Sequence, residues 1–159
     1  MATSFSSLGR RDGGWIAVLV LLAVVGLACN GESNGPPADF CVIYADNPHL
    51  SSVGLRKGVR EIIGKGWFRC TKSPREITLR VELQQKRIGL WATIDTNSDT
   101  FTSPPAGRKS EEVIAVLHDC PDGTFRTRAR ASGLDDVGNR VESTEWSLSA
   151  EVTNPCKKK

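Results

Sequence analysis

The stretch that decides the fold is residues 118–156, HDCPDGTFRTRARASGLDDVGNRVESTEWSLSAEVTNPC. It contains two runs in which apolar and polar residues alternate, and a glycine-containing segment separates them. Alternation with a period of two predicts a half-buried β-strand. The stretch therefore predicts an antiparallel hairpin with one apolar face and one polar face, and a cysteine lies just outside each of its strands.

The apolar faces of the two runs predict their register. They match when Phe125 lies opposite Val152 and Ala131 lies opposite Trp146, which puts the tryptophan on the core side. The polar face of the first run then carries a row of three arginines at alternating positions: Arg126, Arg128 and Arg130. Such a row is suited to a partner rich in carboxylates or phosphates, such as a cell-envelope polymer. The preferred interpretation is a solvated strand face neutralised by Glu145 and Glu151, or a device against edge-to-edge pairing, and a binding face for an anionic partner is the alternative.

The number of cysteines is odd. There are five, at positions 29, 41, 70, 120 and 156. Cys120 and Cys156 lie at nearly equal distances from the turn of the hairpin, so we expect them to pair. If Cys29 is reserved for lipid modification, the two cysteines that remain, Cys41 and Cys70, form the second pair. Disulfides form and persist in oxidising compartments. The absence of a C-x-x-C spacing gives a zinc site or a redox motif little support.

The N-terminus predicts export. Arg10 and Arg11 precede an uncharged apolar run over residues 15–28, which is shorter than a membrane-spanning helix needs and has the layout of a secretory signal. Gly26–Cys29 resembles the bacterial lipobox, in which the cysteine becomes the acylated first residue. We therefore expect a signal peptide with a lipobox over 1–28, a flexible tether over 29–39, and attachment to the outer face of the cell membrane through acylated Cys29, or secretion if Cys29 is not acylated.

The remaining chain, residues 40–156, predicts a single β-sandwich domain, followed by a basic tail at 157–159. Ile77–Leu83 and Ile88–Ile94 alternate cleanly and predict a second hairpin, with its turn at Lys86–Arg87 or in a longer loop that reaches Gly89. The segment 95–109 is rich in turn-forming residues and predicts a long loop. About seven short strands in all favour an antiparallel immunoglobulin-like β-sandwich, with a small closed barrel as the alternative.

Composition and motifs argue against several functions. A net charge of +3, from 21 basic and 18 acidic residues, is too balanced for a typical nucleic-acid binder. His49 and His118 have no accompanying nucleophile motif, and the sequence contains no phosphate-binding or dinucleotide-binding motif. We therefore expect no enzymatic activity, no cofactor and no metal site. The preferred function is a non-catalytic binding or structural module, and the alternative is a secreted inhibitor of extracellular enzymes such as proteases, which would present the 95–109 loop.

The chain from Cys41 to Cys156 resembles small exported β-sandwich proteins and lipoproteins of actinobacteria, whose function is unknown. Four segments carry this resemblance: Gly66–Cys70, Gly89–Trp91, Cys120–Arg126 and the closing Cys156. These segments belong to the scaffold and contain no active-site motif. The resemblance therefore implies the fold and the compartment, and it implies no reaction or ligand.

Overall fold

The structure is a computed structural model that describes residues 40–157. The predicted signal peptide, the tether and Cys29 lie outside these residues, as do Lys158 and Lys159 of the basic tail. The described chain contains, in order, β1 (Cys41–Ala45), β2 (His49–Leu50), α1 (Ser52–Arg56), β3 (Ile62–Cys70), β4 (Glu76–Arg87), β5 (Leu90–Thr102), β6 (Val113–Leu117), β7 (Thr124–Leu134), β8 (Arg140–Glu142), β9 (Ser147–Leu148) and β10 (Val152–Thr153).

These strands form two antiparallel sheets. In the first sheet, β3 is central, with β1 and β2 along one edge and β6 along the other. In the second sheet, β7 and β4 are central, β5 is on one edge, and β8, β9 and β10 follow one another along the other edge of β7. If short strands that share an edge are taken as one interrupted strand, the described chain has seven strand positions. The predicted antiparallel β-sandwich is therefore confirmed.

The core lies between the sheets and is built from alternating residues. The first sheet contributes Ile62, Phe68, Val113 and Ala115, and the second contributes Ile77, Leu79, Val81, Leu83, Phe125, Ala129 and Ala131. The sheets approach each other most closely at two glycines of β3. A Cβ on Gly66 would lie 2.5 Å from Cγ2 of Val81, and one on Gly64 would lie 2.6 Å from Oγ1 of Thr127. Only glycine, which has no Cβ, allows the two sheets to come this close.

Both predicted disulfide pairings are present in the structure. Cys41 and Cys70 join the paired strands β1 and β3, with an S–S distance of 1.97 Å. Cys120 and Cys156 join the two ends of the hairpin region, with an S–S distance of 1.98 Å. The bridges close loops with sequence separations of 29 and 36 residues. In the chain-entropy model, each bridge stabilises the fold by about 3–4 kcal/mol.

The predicted register of the first hairpin is only partly correct. Val152 lies opposite Phe125, as predicted, but Ser147 lies opposite Ala129, which is one residue away from the predicted partner. The return strand is broken into β8, β9 and β10, and irregular segments between them absorb extra residues. Between β9 and β10 the return strand contains one more residue than the facing part of β7, so the alternation is reversed before this point and Trp146 does not enter the core. It lies instead against the arginines of the outer face.

The second hairpin turns later than its alternation predicts. Arg87 pairs with Leu90, so the two-residue turn is Ile88–Gly89, and the turn proposed at Lys86–Arg87 is wrong. Both turn residues have positive φ, 49° and 79°, as a type I′ turn requires. The strand β5 continues to Thr102, so the first half of the predicted 95–109 loop is in fact a strand paired with β4.

No helix among residues 40–157 has the length and hydropathy needed to cross a lipid bilayer.

Thr127 provides a test of the inter-sheet packing. Thr127 is fully buried, and within the described chain its hydroxyl oxygen Oγ1 has no hydrogen-bond partner. A buried hydroxyl without a partner is destabilising, so we expect Thr127→Val to raise the free energy of unfolding by about 1 kcal/mol in urea denaturation. Thr78→Val is the control, because Oγ1 of Thr78 lies 2.9 Å from Oγ1 of Thr100 and the substitution removes that bond. An equal gain for both variants would contradict the argument.

Candidate functional site

The predicted arginine row lies on the outer face of the second sheet, at the centre of β7. The strand alternates as expected: Phe125, Thr127, Ala129 and Ala131 are buried toward the core. The arginines between them point outward and are half-buried: Arg126, Arg128 and Arg130. Neighbouring side chains from β4, β5 and the segment before β9 cover them in part. The row is therefore a packed surface in which each guanidinium has partners within the protein.

Arg128 is held by a buried carboxylate. Its Nη2 lies 2.6 Å from Oε2 of Glu82, and its Nε donates to the same oxygen at 2.7 Å. Thr93 also donates a hydrogen bond to Oε2 of Glu82, at 2.8 Å, and Nη2 of Arg80 lies 2.9 Å from the other oxygen, Oε1. Burial opposes ionisation of Glu82, whose side chain is only 3% exposed, but the hydrogen bonds from Thr93 and Arg128 keep its pKa below the ordinary value.

Two tryptophans stack on the arginines. The guanidinium carbon of Arg126 lies 4.2 Å from the ring centroid of Trp91, and those of Arg128 and Arg130 lie 4.1 and 4.7 Å from that of Trp146. Cation–π contacts at these distances are favourable and restrict the rotation of the guanidinium groups. The row and the two rings therefore form one continuous layer over the outer face, which we call the arginine–tryptophan layer.

Arg126 differs from the other two arginines. Its Nε donates to Oε1 of Gln84 at 2.8 Å, and within residues 40–157 it forms no salt bridge. Oε2 of Glu151 forms a salt bridge with Nζ of Lys86, at 3.3 Å, and not with Arg126. Burial and the nearby charge of Arg128 lower the pKa of Arg126. Its two terminal amino groups form no hydrogen bond or salt bridge within residues 40–157, so they are free to meet a ligand.

Arg130 is loosely paired. Its Nη1 lies 3.5 Å from Oε1 of Glu142, whose side chain is 61% exposed. An exposed pair at this distance contributes little to stability, so an acidic ligand can compete for the guanidinium. The layer therefore has a fixed centre at Arg128 and two more accessible cations, one on each side.

Sequence reasoning found the three arginines and missed the residues that hold them. Glu82 and Gln84 are on the outward-facing positions of β4, yet each is only 2% exposed. The pairing of β4 with β7 brings Glu82 opposite Arg128. A local pattern does not predict this pairing, because the two residues are 46 positions apart in the chain.

A groove with a volume of about 420 Å³ lies next to the layer, between β1 and the segment that carries β8 and β9. Its apolar wall includes Val42, Ile77 and Trp146, and two glutamates, Glu76 and Glu145, lie at its lining. Its size is within the range of small-molecule pockets, roughly 300–1,000 Å³. Because Trp146 lines the groove and also stacks on two arginines, the groove and the arginine–tryptophan layer meet at this ring.

The outer face of the first sheet has its own aromatic cluster. Tyr44 and Trp67 are stacked with ring centroids 3.8 Å apart, and Nζ of Lys109 lies 4.7 Å from the Trp67 centroid. Hydrogen bonds from Lys109 and Lys65 lower the pKa of Glu112 to about 2. The charges of this cluster are satisfied among its own members, which is typical of a stabilising network on a sheet surface.

The two histidines lie in simple settings. Nδ1 of His118 is 2.9 Å from Oε1 of Glu61, and Nδ1 of His49 is 2.9 Å from the carbonyl oxygen of Asn47. Among residues 40–157, no group of three or more His, Cys, Asp or Glu residues is arranged to hold a metal ion.

The segment expected to act as an inhibitor loop does not protrude freely. Beyond the end of β5, Gly107 donates to the carbonyl oxygen of Cys70, Ser110 donates to that of Phe68, and Lys109 forms a β-bridge with Arg69. These bonds hold the segment along the edge of β3. A reactive loop must present an extended segment to a protease, so this geometry gives the inhibitor hypothesis no structural support.

Comparison with known proteins gives little further information. No family model matches the chain, and no curated protein matches it. One similar solved structure is the CARDB domain of the PF1109 protein from Pyrococcus furiosus, a crystal structure in complex with di-metal ions. It is 12% identical, covers 72% of this chain and 93% of its own, and has a TM-score of 0.37. At that score the likeness carries no argument, and the description of the fold rests on the two sheets themselves.

The buried carboxylate at the centre of the layer can be tested by substitution. Glu82→Gln removes the charge that two arginines share, so we expect the free energy of unfolding to fall by about 2 kcal/mol in urea denaturation. Glu142→Gln is the matched control, because it removes the exposed partner of Arg130 and should change stability by less than about 0.5 kcal/mol. Similar losses in the two variants would show that Glu82 is not the anchor of the layer.

Proposed function

We propose that this protein is an exported, lipid-anchored, non-catalytic β-sandwich module that binds an anionic polymer of the cell envelope. The observation that carries the binding role is the arginine–tryptophan layer, in which Arg126 and Arg130 have accessible amino groups on rings that restrict their motion. Pre-orientation lowers the entropic cost of binding, and guanidinium groups match carboxylate and phosphate oxygens. The proposal also agrees with the resemblance to exported actinobacterial proteins.

The cysteine pairing supports export and anchoring. Two disulfides are typical of an extracellular or otherwise oxidising compartment. Four of the five cysteines pair with one another, so the chain has no further cysteine to pair with Cys29. An acylated cysteine at the start of the mature chain accounts for the odd number. In this proposal the segment 29–39 joins the acylated cysteine to the domain.

Anchoring is tested by intact-mass analysis of the protein from its membrane fraction. We expect a chain that begins at Cys29 and carries the added mass of a diacylglyceryl group. The Cys29→Ser variant should lack that mass and leave the membrane fraction. An unmodified Cys29 in the wild-type protein, or a chain that retains residues 1–28, would contradict the lipoprotein proposal.

Polymer binding is tested with two defined probes, long-chain polyphosphate and poly-L-glutamate. The double variant Arg126→Gln/Arg130→Gln should bind the preferred probe about tenfold more weakly, since two charge-assisted contacts are lost. Arg140→Gln is the control, because it removes an exposed arginine of β8 outside the layer. Wild-type binding should weaken as the salt concentration rises. Equal binding by the wild type and the double variant would remove the layer as the polymer site.

A further inference from the structure

The tip of the β4–β5 hairpin is unusual in its chemistry. The sequence from Lys86 to Trp91 is KRIGLW, and its two aliphatic side chains project into solvent: Ile88 is 103% exposed and Leu90 is 76% exposed. A Cβ added at Gly89 would meet no atom within 4 Å. The tip therefore stands clear of the rest of the domain and offers apolar surface that contributes nothing to the core.

Ile88 also has an unfavourable backbone conformation. Its φ is 49°, in the left-handed region that β-branched residues disfavour and that asparagine tolerates. The first position of a type I′ turn is most often occupied by Asn, Asp or Gly. No packing compensates for an isoleucine there, because the side chain is fully exposed. A strained and fully exposed apolar residue is better explained by an external contact than by stability.

Cationic and aromatic groups surround the aliphatic tip. Arg87 forms a hydrogen bond with Oε1 of Gln85 and no salt bridge within residues 40–157. Lys86 and Arg126 both contact the ring of Trp91, at 5.4 and 4.2 Å from its centroid. An apolar tip, a half-buried indole and flanking cations are the combination that binds the interface of an anionic bilayer, where aliphatic groups enter the acyl region and cations stay among the headgroups.

We propose that the β4–β5 hairpin tip inserts into the surface of an anionic phospholipid membrane. This contact goes beyond the proposed anchor, because lipid would touch the folded domain itself. A protein partner fits the tip less well, since a stable protein interface buries about 1,200 Å² or more. Two side chains at the end of a hairpin offer far less area, and a bilayer accepts such a small insertion without a complementary pocket.

The key variant is Ile88→Asn, which separates binding from folding. It creates the favoured Asn-Gly turn, so the melting temperature should rise. At the same time it removes the inserted side chain. Val137→Asn is the matched control: Val137 is 67% exposed and follows β7, whose end pairs with the start of β4. It removes an exposed β-branched residue at the opposite end of the sheet from the tip.

The measurement is amide hydrogen exchange on the full-length chain, reconstituted in vesicles of phosphatidylglycerol and phosphatidylcholine or of phosphatidylcholine alone. In the wild type and in Val137→Asn, residues 86–91 should exchange about tenfold more slowly in the anionic vesicles. Ile88→Asn should lose that protection, and Arg87→Gln should lose part of it.

Three outcomes would overturn the proposal: equal protection in the two lipid mixtures, protection that survives Ile88→Asn, and no protection in either mixture. Anchoring through Cys29 is judged separately from the intact mass, so failure of the tip and failure of the anchor remain distinguishable.

Discussion

The sandwich depends on how closely β3 approaches the second sheet. At Gly64 and Gly66 the backbone of β3 lies so near Thr127 and Val81 that a side chain at either glycine would meet an atom at 2.6 Å or less. This contact sets the separation of the sheets and leaves the inner faces of β4 and β7 without exposure. The charged residues in the paired parts of these strands therefore lie on the outer face, where they form salt bridges and hydrogen bonds with one another.

The outer face of the second sheet contains charged residues that are themselves partly covered. Leu83 is buried on the inner side of β4 and Glu82 on the outer side, so the strand is covered on both faces. A buried carboxylate is tolerated only when cations and hydrogen-bond donors satisfy it. Arg128, Arg80 and Thr93 do so. The tryptophans then cover the arginines, and the result is a rigid cationic layer with accessible amino groups at Arg126 and Arg130.

The hairpin tip differs from this layer, because its apolar side chains are exposed and have no partner within the described chain. Ile88 is fully exposed and has an unfavourable backbone conformation, whereas all four aliphatic side chains of β4 lie in the core. The two regions are linked through Trp91, which pairs with Lys86 beside the tip and stacks on Arg126 in the layer. The cations of the layer and the apolar end of the hairpin thus form neighbouring surfaces with different chemistry on one rigid pair of strands.

Several features were accessible from local pattern. The alternation of β7 correctly placed all three arginines outward, and the spacing of cysteines about the hairpin correctly predicted Cys120 with Cys156. Both inferences work because the side-chain period of a strand is two and because a hairpin brings symmetric positions together. The return strand was not predicted correctly, because one extra residue between β9 and β10 reverses the alternation and places Trp146 on the outer face rather than in the core.

The sequence by itself determined which residues of β4 and β7 face the core, which cysteines pair, and that the fold is an antiparallel β-sandwich, since periodicity and spacing are local properties. Only the tertiary structure decided that β4 lies beside β7, that Glu82 therefore meets Arg128, and that the second hairpin turns at Ile88–Gly89. These features depend on contacts between distant segments and on the geometry of one turn. The alternation of apolar and polar residues predicts which side chains of a strand face the core. It does not predict which other strand lies beside it.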